Sequence, residues 1–266
     1  MGSGAAIARS LARQSRLDVV GFHRGNHPEA AEAVRRDVEA AGRRCVLLER
    51  DAGRIESIAA HVEDLAAILG PDEGLQIAVH ALTGASLGPV ACRERPERAL
   101  HPRQIARTFD AMAHSFLFWG QGLVHADLFA RGGQLLGLLN FQDESTPPGF
   151  AAIGGVKGAL TSYVRHMAFE FPRYGVRVNA LRFGATETEA FTHVPSADAA
   201  LQNIARVSPM GRNVGIEDVG KFVSLLADER AEFLNGSIIP FDGGETAAYA
   251  VQMLEPARRA AGEGRE

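Results

Sequence analysis

Residues 155–181 read GVKGALTSYVRHMAFEFPRYGVRVNAL, and the pattern changes partway along the stretch. From Gly155 to Phe171 the apolar residues recur at helical spacing, whereas Arg177 to Leu181 is a compact β-rich run. The same pairing extends in both directions. Upstream, Ile7, Leu11 and Ala12 fall at helical spacing ahead of a strand-like run from Asp18 to Phe22. Pro28 opens a second helix that ends near Ala41 and Gly42, and Cys45 to Leu48 then forms an apolar run suited to a strand buried on both faces. Ile55 to Leu69 reads as helix and Leu75 to Val79 as strand, followed by a long helix from Gln104 to Ala130 and a strand from Gln134 to Leu139. Downstream, a helix from Ile216 to Leu226 precedes a strand from Ser237 to Phe241. Helices alternating with short apolar strands predict an α/β, Rossmann-like, doubly wound parallel sheet, because parallel strands need crossover connections that lay helices on both faces. With no internal repeat or linker, residues 1–254 form one expected domain, and 255–266 a tail expected to fray.

One element of that architecture is missing. A doubly wound domain begins with a strand, yet here Met1 falls directly on a turn and the first element is already a helix. The absent strand belongs in the middle of the sheet, so its loss should expose two ladder edges and a wide apolar surface. Either translation starts upstream of Met1 or this copy is damaged, and the retained pattern elsewhere favours the upstream start.

Composition narrows the classes of function. A chain of 266 residues with 46% hydrophobic and 23% charged residues has the make-up of an ordinary soluble globule large enough to bury a sizeable core. A net charge of −4 supplies no general attraction to nucleic acid or anionic membrane. Cys45 and Cys92 are too few for a secreted disulfide scaffold, and neither an apolar span nor a signal peptide is visible, which makes the cytoplasm the default expectation. The nine histidines show no metal-binding spacing, so no metal is expected; His114, His125 and His166 read as packing or surface residues.

Gly2, Ser3, Gly4 and Ile7 open the first helix with small residues, where backbone N–H groups and the helix dipole can hold a phosphate. At the end of the next strand stands Arg24, in a place where an acidic residue favours the free ribose hydroxyls of NAD and a base favours a 2′-phosphate. Arg24 therefore points to NADP, against the alternative of a solvated surface arginine.

These segments form ordered blocks. Gly2 to Ala8 resembles the TGxxxGIG turn of the short-chain dehydrogenase/reductase family, and Asp51 with Ala52 resembles the segment after that family's third strand, whose aspartate contacts adenine. Val79 to Thr83, including Ala81, resembles its NNAG-type segment. Tyr174 to Leu181 matches its GIRVN strand, and Gly184 with Thr188 resembles its PGxxxT segment. Ser208 to Arg212, Glu217 to Val219, Gly236 and Asp242 to Gly244 resemble its C-terminal signature. Along nearly its whole length the chain is identified as a member of that family.

The resemblance also locates the active site. Most members carry YxxxK, which puts the tyrosine at Ile153 ahead of Lys157, whereas enoyl-acyl carrier protein reductases use YxxxxxxK, which lands on Phe150. The aromatic ring at that point and the stretch from Glu187 to Pro195 most resemble the NADPH-dependent bacterial enoyl reductases, with the catalytic hydroxyl replaced. Met112 stands where many members have an asparagine, and Asn140 where they have a serine or second aromatic residue. By this resemblance Lys157 holds the ribose hydroxyls, while Asn140 is either the substitute donor or a structural cap. The segment from Phe191 to Val207, with Ser196 as helix cap, is the expected lid. Phe118 and Trp119 read as contacts in a homodimer or homotetramer, and Phe116 joins them in one aromatic cluster. The function implied is NADPH-dependent reduction of an enoyl thioester, linked to CoA or an acyl carrier protein. The alternatives are a catalytically reduced nucleotide-binding or scaffold protein and an atypical ketoreductase.

Overall fold

The computed structural model describes residues 2–140, 147–188 and 197–252; the expected tail, the Ser196 cap and residues 191–196 of the expected lid lie outside them. The described chain runs α1 (Ser3–Ser10), β1 (Val19–His23), α2 (Pro28–Ala40), β2 (Cys45–Glu49), α3 (Ile58–Ile68) and β3 (Leu75–His80). It continues through α4 (Pro102–Phe109), α5 (Ser115–His125), β4 (Phe129–Leu139), α6 (Ala151–Glu170) and β5 (Arg177–Phe183), then α7 (Ala197–Val207), α8 (Ile216–Leu226), β6 (Ile238–Phe241) and α9 (Glu245–Gln252). Every strand pairing is parallel.

The strands fall into two groups. β1 pairs with β2, and β3, β4, β5 and β6 pair in that order, but β1 and β3 are not hydrogen-bonded to each other. The expected ladder edges are therefore those of β1 and β3. Both groups still belong to one layer. Val20 and Phe22 of β1 and Leu75 and Ala78 of β3 pack against a common cluster of α3 and α5 residues that includes Ile58, Val62, Trp119 and Leu123.

Alternation along β4 shows why a strand buried on both faces reads as a continuous apolar run. Leu135 and Leu139 point into a cluster with Phe116, Leu160 and Val164 on the side of α5 and α6. Leu136 and Leu138 point the other way, towards Ile7, Leu11, Val219 and Val223 of α1 and α8. Phe116 is fully buried, and burial of a side chain of that size contributes about 1.5–3 kcal/mol. Close approach of α5 to this core depends on Gly120, where a Cβ would collide with Met167 and Leu135.

Asn179 of β5 is fully buried and ties the layers by polar contacts. Its amide donates to Gln134 Oε1 at 2.7 Å and to the Leu234 carbonyl at 2.8 Å, and its Oδ1 accepts from the Ser237 N–H at 3.0 Å. Gln134 in turn donates to the Leu226 carbonyl at 3.2 Å. Both of these buried amides thus find partners, as the low interior dielectric demands.

Two expectations need correction. The helix expected to run from Gln104 to Ala130 is interrupted by a π-helical turn at Asp110–His114 and ends at His125. Asp127 takes a left-handed φ of 52°, and Phe129 already begins β4, with the Leu75 N–H donating to the Leu128 carbonyl at 2.8 Å. Leu128 and Phe129 satisfy helical spacing, but pairing with β3 decides their conformation. Trp119, expected at a subunit contact, is 8% exposed and donates its indole N–H to the Ala52 carbonyl at 2.8 Å. Phe118 remains on the surface at 39% exposure.

Candidate functional site

A cavity of about 1650 Å³ opens along the C-terminal ends of the parallel strands, the edge where α/β sheets place their ligands. Gly2, Ser3, Gly4 and Ile7 bring the start of α1 to its wall. Gly2 takes an extended conformation and no side chain caps this helix, so the first-turn N–H groups present their positive dipole end to the cavity. Arg24 follows β1 as an exposed cation on the same wall, and Ala52 follows β2. Ala81, directly after β3, is the nearest side chain to the place a Cβ would take on Gly4, at 3.4 Å. Gly184 and Thr188, after β5, line the far side.

Asp51 stands apart from the other expected site residues. Its carboxylate accepts from the Gly53 N–H at 3.1 Å, and the residue is exposed but does not line the cavity. The turn it closes carries Ala52 to the wall.

Opposite α1, Phe150 precedes α6 and Lys157 lies two turns into it, so Phe150, Ile153 and Lys157 share one helical face on the cavity wall. Lys157 is 7% exposed, and its Nζ donates to the Leu138 carbonyl at 2.8 Å. That bond aims the ammonium along the end of β4, where Asn140 also reaches the cavity. Met112, 4% exposed and within the π-helical turn, also lines the cavity and packs with Val156 of α6. No tyrosine lines the cavity among the described residues.

Two residues were not singled out from the sequence: His80 in the cavity wall, and Glu245 behind the loop that carries Gly184 and Ala185 to it. His80 closes β3 with its Nε2 at 2.8 Å from Ser115 Oγ. Burial, and secondarily the charge of Lys157, push its pKa down to about 3, so it stands neutral in the wall. A histidine ending an apolar strand was the only signal available. Glu245, 2% exposed, accepts the Ala185 N–H at 2.8 Å and so holds the loop after β5 against the start of α9. A Cβ on Gly184 would run into that carboxylate, which is why glycine stands there. Among the described residues no group of three or more His, Cys, Asp or Glu side chains is arranged to hold a metal, and no helix is long and apolar enough to cross a membrane.

Comparison with known proteins places this geometry in context. The family model described as enoyl-(acyl carrier protein) reductase matches residues 1–246. The 1-cyclohexenylcarbonyl-CoA reductase of Streptomyces collinus is 24% identical over 245 residues, covering 91% of this chain and 82% of that protein. Among solved structures, a putative short-chain alcohol dehydrogenase from Sinorhizobium meliloti superposes with a TM-score of 0.80 at 24% identity, covering 92% of each chain. The NADH-dependent enoyl-[acyl-carrier-protein] reductase of Aquifex aeolicus superposes with a TM-score of 0.75 at 23% identity, covering 91% of this chain and 90% of that one. At these identities the structural likenesses establish the fold.

Proposed function

This chain belongs to the short-chain dehydrogenase/reductase family, in its enoyl-(acyl carrier protein) reductase-like branch, and from that premise we propose that it is an NADPH-dependent reductase of an enoyl group carried as an acyl thioester. The observation that carries the reading is the buried Lys157 on a wall shared with Asn140 and Phe150, facing a cavity that the uncapped start of α1 also lines.

The residues present fit a nicotinamide dinucleotide. The first-turn N–H groups of α1, with Gly2, Ser3 and Gly4 leaving room for close approach, suit the pyrophosphate. Arg24 suits a 2′-phosphate by a charge-assisted contact. Ile7, Ala52 and Ala81 supply apolar surface, Gly184 and Thr188 bound the nicotinamide end, and Lys157 holds the ribose hydroxyls. Asp51 contributes by setting the turn that presents Ala52. When bound, the reduced nicotinamide supplies the hydride.

Addition of hydride at the β-carbon of an enoyl thioester moves negative charge onto the carbonyl oxygen, and a placed donor stabilises the resulting enolate. Phe150 has no hydrogen to give. Asn140 carries an amide NH₂ on the same wall, and Lys157 adds positive potential beside it. Loss of one such donor costs about 3–4 kcal/mol, so the replacement of a tyrosine hydroxyl predicts slow turnover rather than none. Phe118 and the exposed side of α6 suit a homodimer or homotetramer, in the cytoplasm.

The test is spectroscopic. Purified protein, NADPH and crotonyl or acetoacetyl thioester are mixed and followed at the nicotinamide absorbance. Consumption with the crotonyl substrate supports the enoyl reading, and consumption with acetoacetyl alone supports a ketoreductase. Binding of NADPH without oxidation of either mixture would leave the scaffold reading, which the Phe150 ring favours.

A further inference from the structure

We propose that Arg98, Arg103 and Arg107 hold the phosphates of a coenzyme A thioester at the mouth of the cavity. The inference rests on the acyl-thioester reading above and selects the carrier. Between Arg93 and Arg107 the chain carries five arginines against two glutamates, a local excess of positive charge in a chain whose net charge is −4. All five are exposed, and among the described residues none of them has a side-chain hydrogen bond or ion pair. Other arginines of the surface find acids: Arg35 reaches Glu32 at 2.6 Å, Arg44 reaches Glu73 at 2.6 Å and Arg230 reaches Asp228 at 2.8 Å. A run of unpaired guanidinium groups beside a cavity favours an anion from outside the chain.

The segment is fixed against the cavity rim. Leu87 lines the cavity, and the Gly88 N–H donates to the Gly149 carbonyl at 3.0 Å, next to Phe150. The chain then doubles back, with the Leu100 N–H donating to the Pro89 carbonyl at 2.9 Å and the Arg98 carbonyl 3.3 Å from the place a Cβ would take on Gly88. Arg98 therefore stands on the rim beside Leu87. At the start of α4, the His101 N–H donates to Gln104 Oε1 at 2.8 Å and His101 Nδ1 accepts from the Arg103 N–H at 3.2 Å. Thr108, fully buried, donates to the Gln104 carbonyl at 2.8 Å and accepts from the Ser86 N–H at 3.1 Å. Arg103 and Arg107 thus project from a backbone already held in place, which lowers the cost of ordering them around a ligand.

Spacing selects the anion. Arg103 and Arg107 are one turn apart on one face of α4, with Gln104, Ile105 and Ala106 between them and no acid. The next residue of that row, Ala111, faces Gly84 on the cavity wall, with its Cβ 3.7 Å from the place a Cβ would take there. Asp110, the first acid beyond Arg107, is held by His114 at 2.9 Å. Two planar guanidinium groups on neighbouring turns suit a pyrophosphate, and Arg98 on the rim suits a further phosphate. Coenzyme A carries both groups at the far end of its pantetheine arm from the thioester, so the phosphates stay at the mouth while the acyl group enters towards Asn140 and Lys157. An acidic carrier protein needs a continuous basic face, and Glu94 and Glu97 interrupt this one.

The experiment is calorimetric binding of butyryl-CoA, which has no enoyl bond to reduce, and of butyryl-pantetheine, both in saturating NADPH so that the dinucleotide site is filled. The native chain should bind butyryl-CoA at least about tenfold more tightly, and the advantage should shrink several-fold as salt rises from about 50 to about 500 mM. Arg103→Ala/Arg107→Ala should remove most of the advantage, Arg98→Ala about threefold of it, and Arg103→Lys/Arg107→Lys should retain part. Arg36→Ala/Arg131→Ala, a pair of exposed arginines off the cavity wall, should leave it unchanged. Affinities for butyryl-pantetheine and NADPH should stay within about twofold in every variant, which also shows that each has folded. Equal or absent binding of the two thioesters, equal losses in the Arg36/Arg131 pair, or a matching loss of NADPH affinity would overturn the proposal. So would a loss confined to a butyryl acyl carrier protein, which would assign these arginines to a protein partner. The reductase reading is tested apart, by NADPH oxidation with crotonyl-pantetheine, which lacks the phosphates. Turnover of that substrate with no advantage for CoA would sink this inference alone, and selective CoA binding without turnover would sink the reductase reading alone.

Discussion

His80 Nε2 lies 2.8 Å from Ser115 Oγ, and because that serine already donates its hydrogen to the Ala111 carbonyl at 2.9 Å, the imidazole is the donor of the pair. A neutral, fixed tautomer is therefore built into the cavity wall. Its pKa of about 3 lies below the ordinary value of 6.5, so below pH 6.5 the unfolded chain takes up a proton that the folded chain refuses. Stability from this group is fully present above pH 6.5 and falls by about 1.4 kcal/mol per pH unit as the pH drops towards 3. Chemical denaturation of the native chain and of His80→Asn between pH 7 and about 4.5 should show the native curve falling more steeply. Parallel curves would show that His80 is protonated in the folded state.

Phe150 and Asn140 share a cavity wall but should respond in opposite ways. Phe150→Tyr adds one hydroxyl where an enolate oxygen is expected, and kcat should rise by about tenfold to a thousandfold. Asn140→Ala should lower kcat by about a hundredfold with little change in NADPH affinity, because the contact forms mainly in the transition state. Steady-state kinetics with crotonyl thioester beside NADPH titration reads both effects. Unchanged rates in the two variants would remove Asn140 and the Phe150 position from the mechanism.

If the proposed NADPH preference holds, opposed charges around one turn should set it. Arg24 is exposed, and the carboxylate of Glu49 presses against neighbouring Gly25, which takes a left-handed φ of 77°. Arg24→Asp should weaken NADPH by about 10- to 100-fold more than NADH, the worth of a charge-assisted hydrogen bond. Glu49→Gln should shift the preference towards NADPH by a few-fold, since it removes a repulsion and adds no contact. Equal losses for both dinucleotides in Arg24→Asp would show that selection lies elsewhere.

Glu245 holds the Ala185 N–H from the first turn of α9, where the helix dipole favours its charge. Glu245→Ala leaves that N–H without its charged acceptor and should cost about 2–3 kcal/mol, a fall in Tm of about 4–10 °C. Glu245→Gln keeps an acceptor oxygen and should recover about half of the loss. Thermal unfolding distinguishes the pair, and equal Tm values for the two variants would mean that packing, not the hydrogen bond, holds the loop.

Periodicity alone determined the alternating elements, because burial on one or both faces imposes helical or strand spacing on neighbours in the chain. The helix from Ile216 to Leu226 falls where its apolar repeat placed it, and Phe150 and Lys157 came together because seven residues on one helix return to one face. Only the tertiary structure decided how non-local partners use ambiguous residues. Leu128 and Phe129 suit a helix until Leu75 offers a ladder, Trp119 suits a surface until the Ala52 carbonyl accepts its N–H, and Glu245 looks like any first-turn acid until Gly184 lets the loop close on it. Hydrogen bonds and buried charges join residues distant in the chain, so no local period can register them.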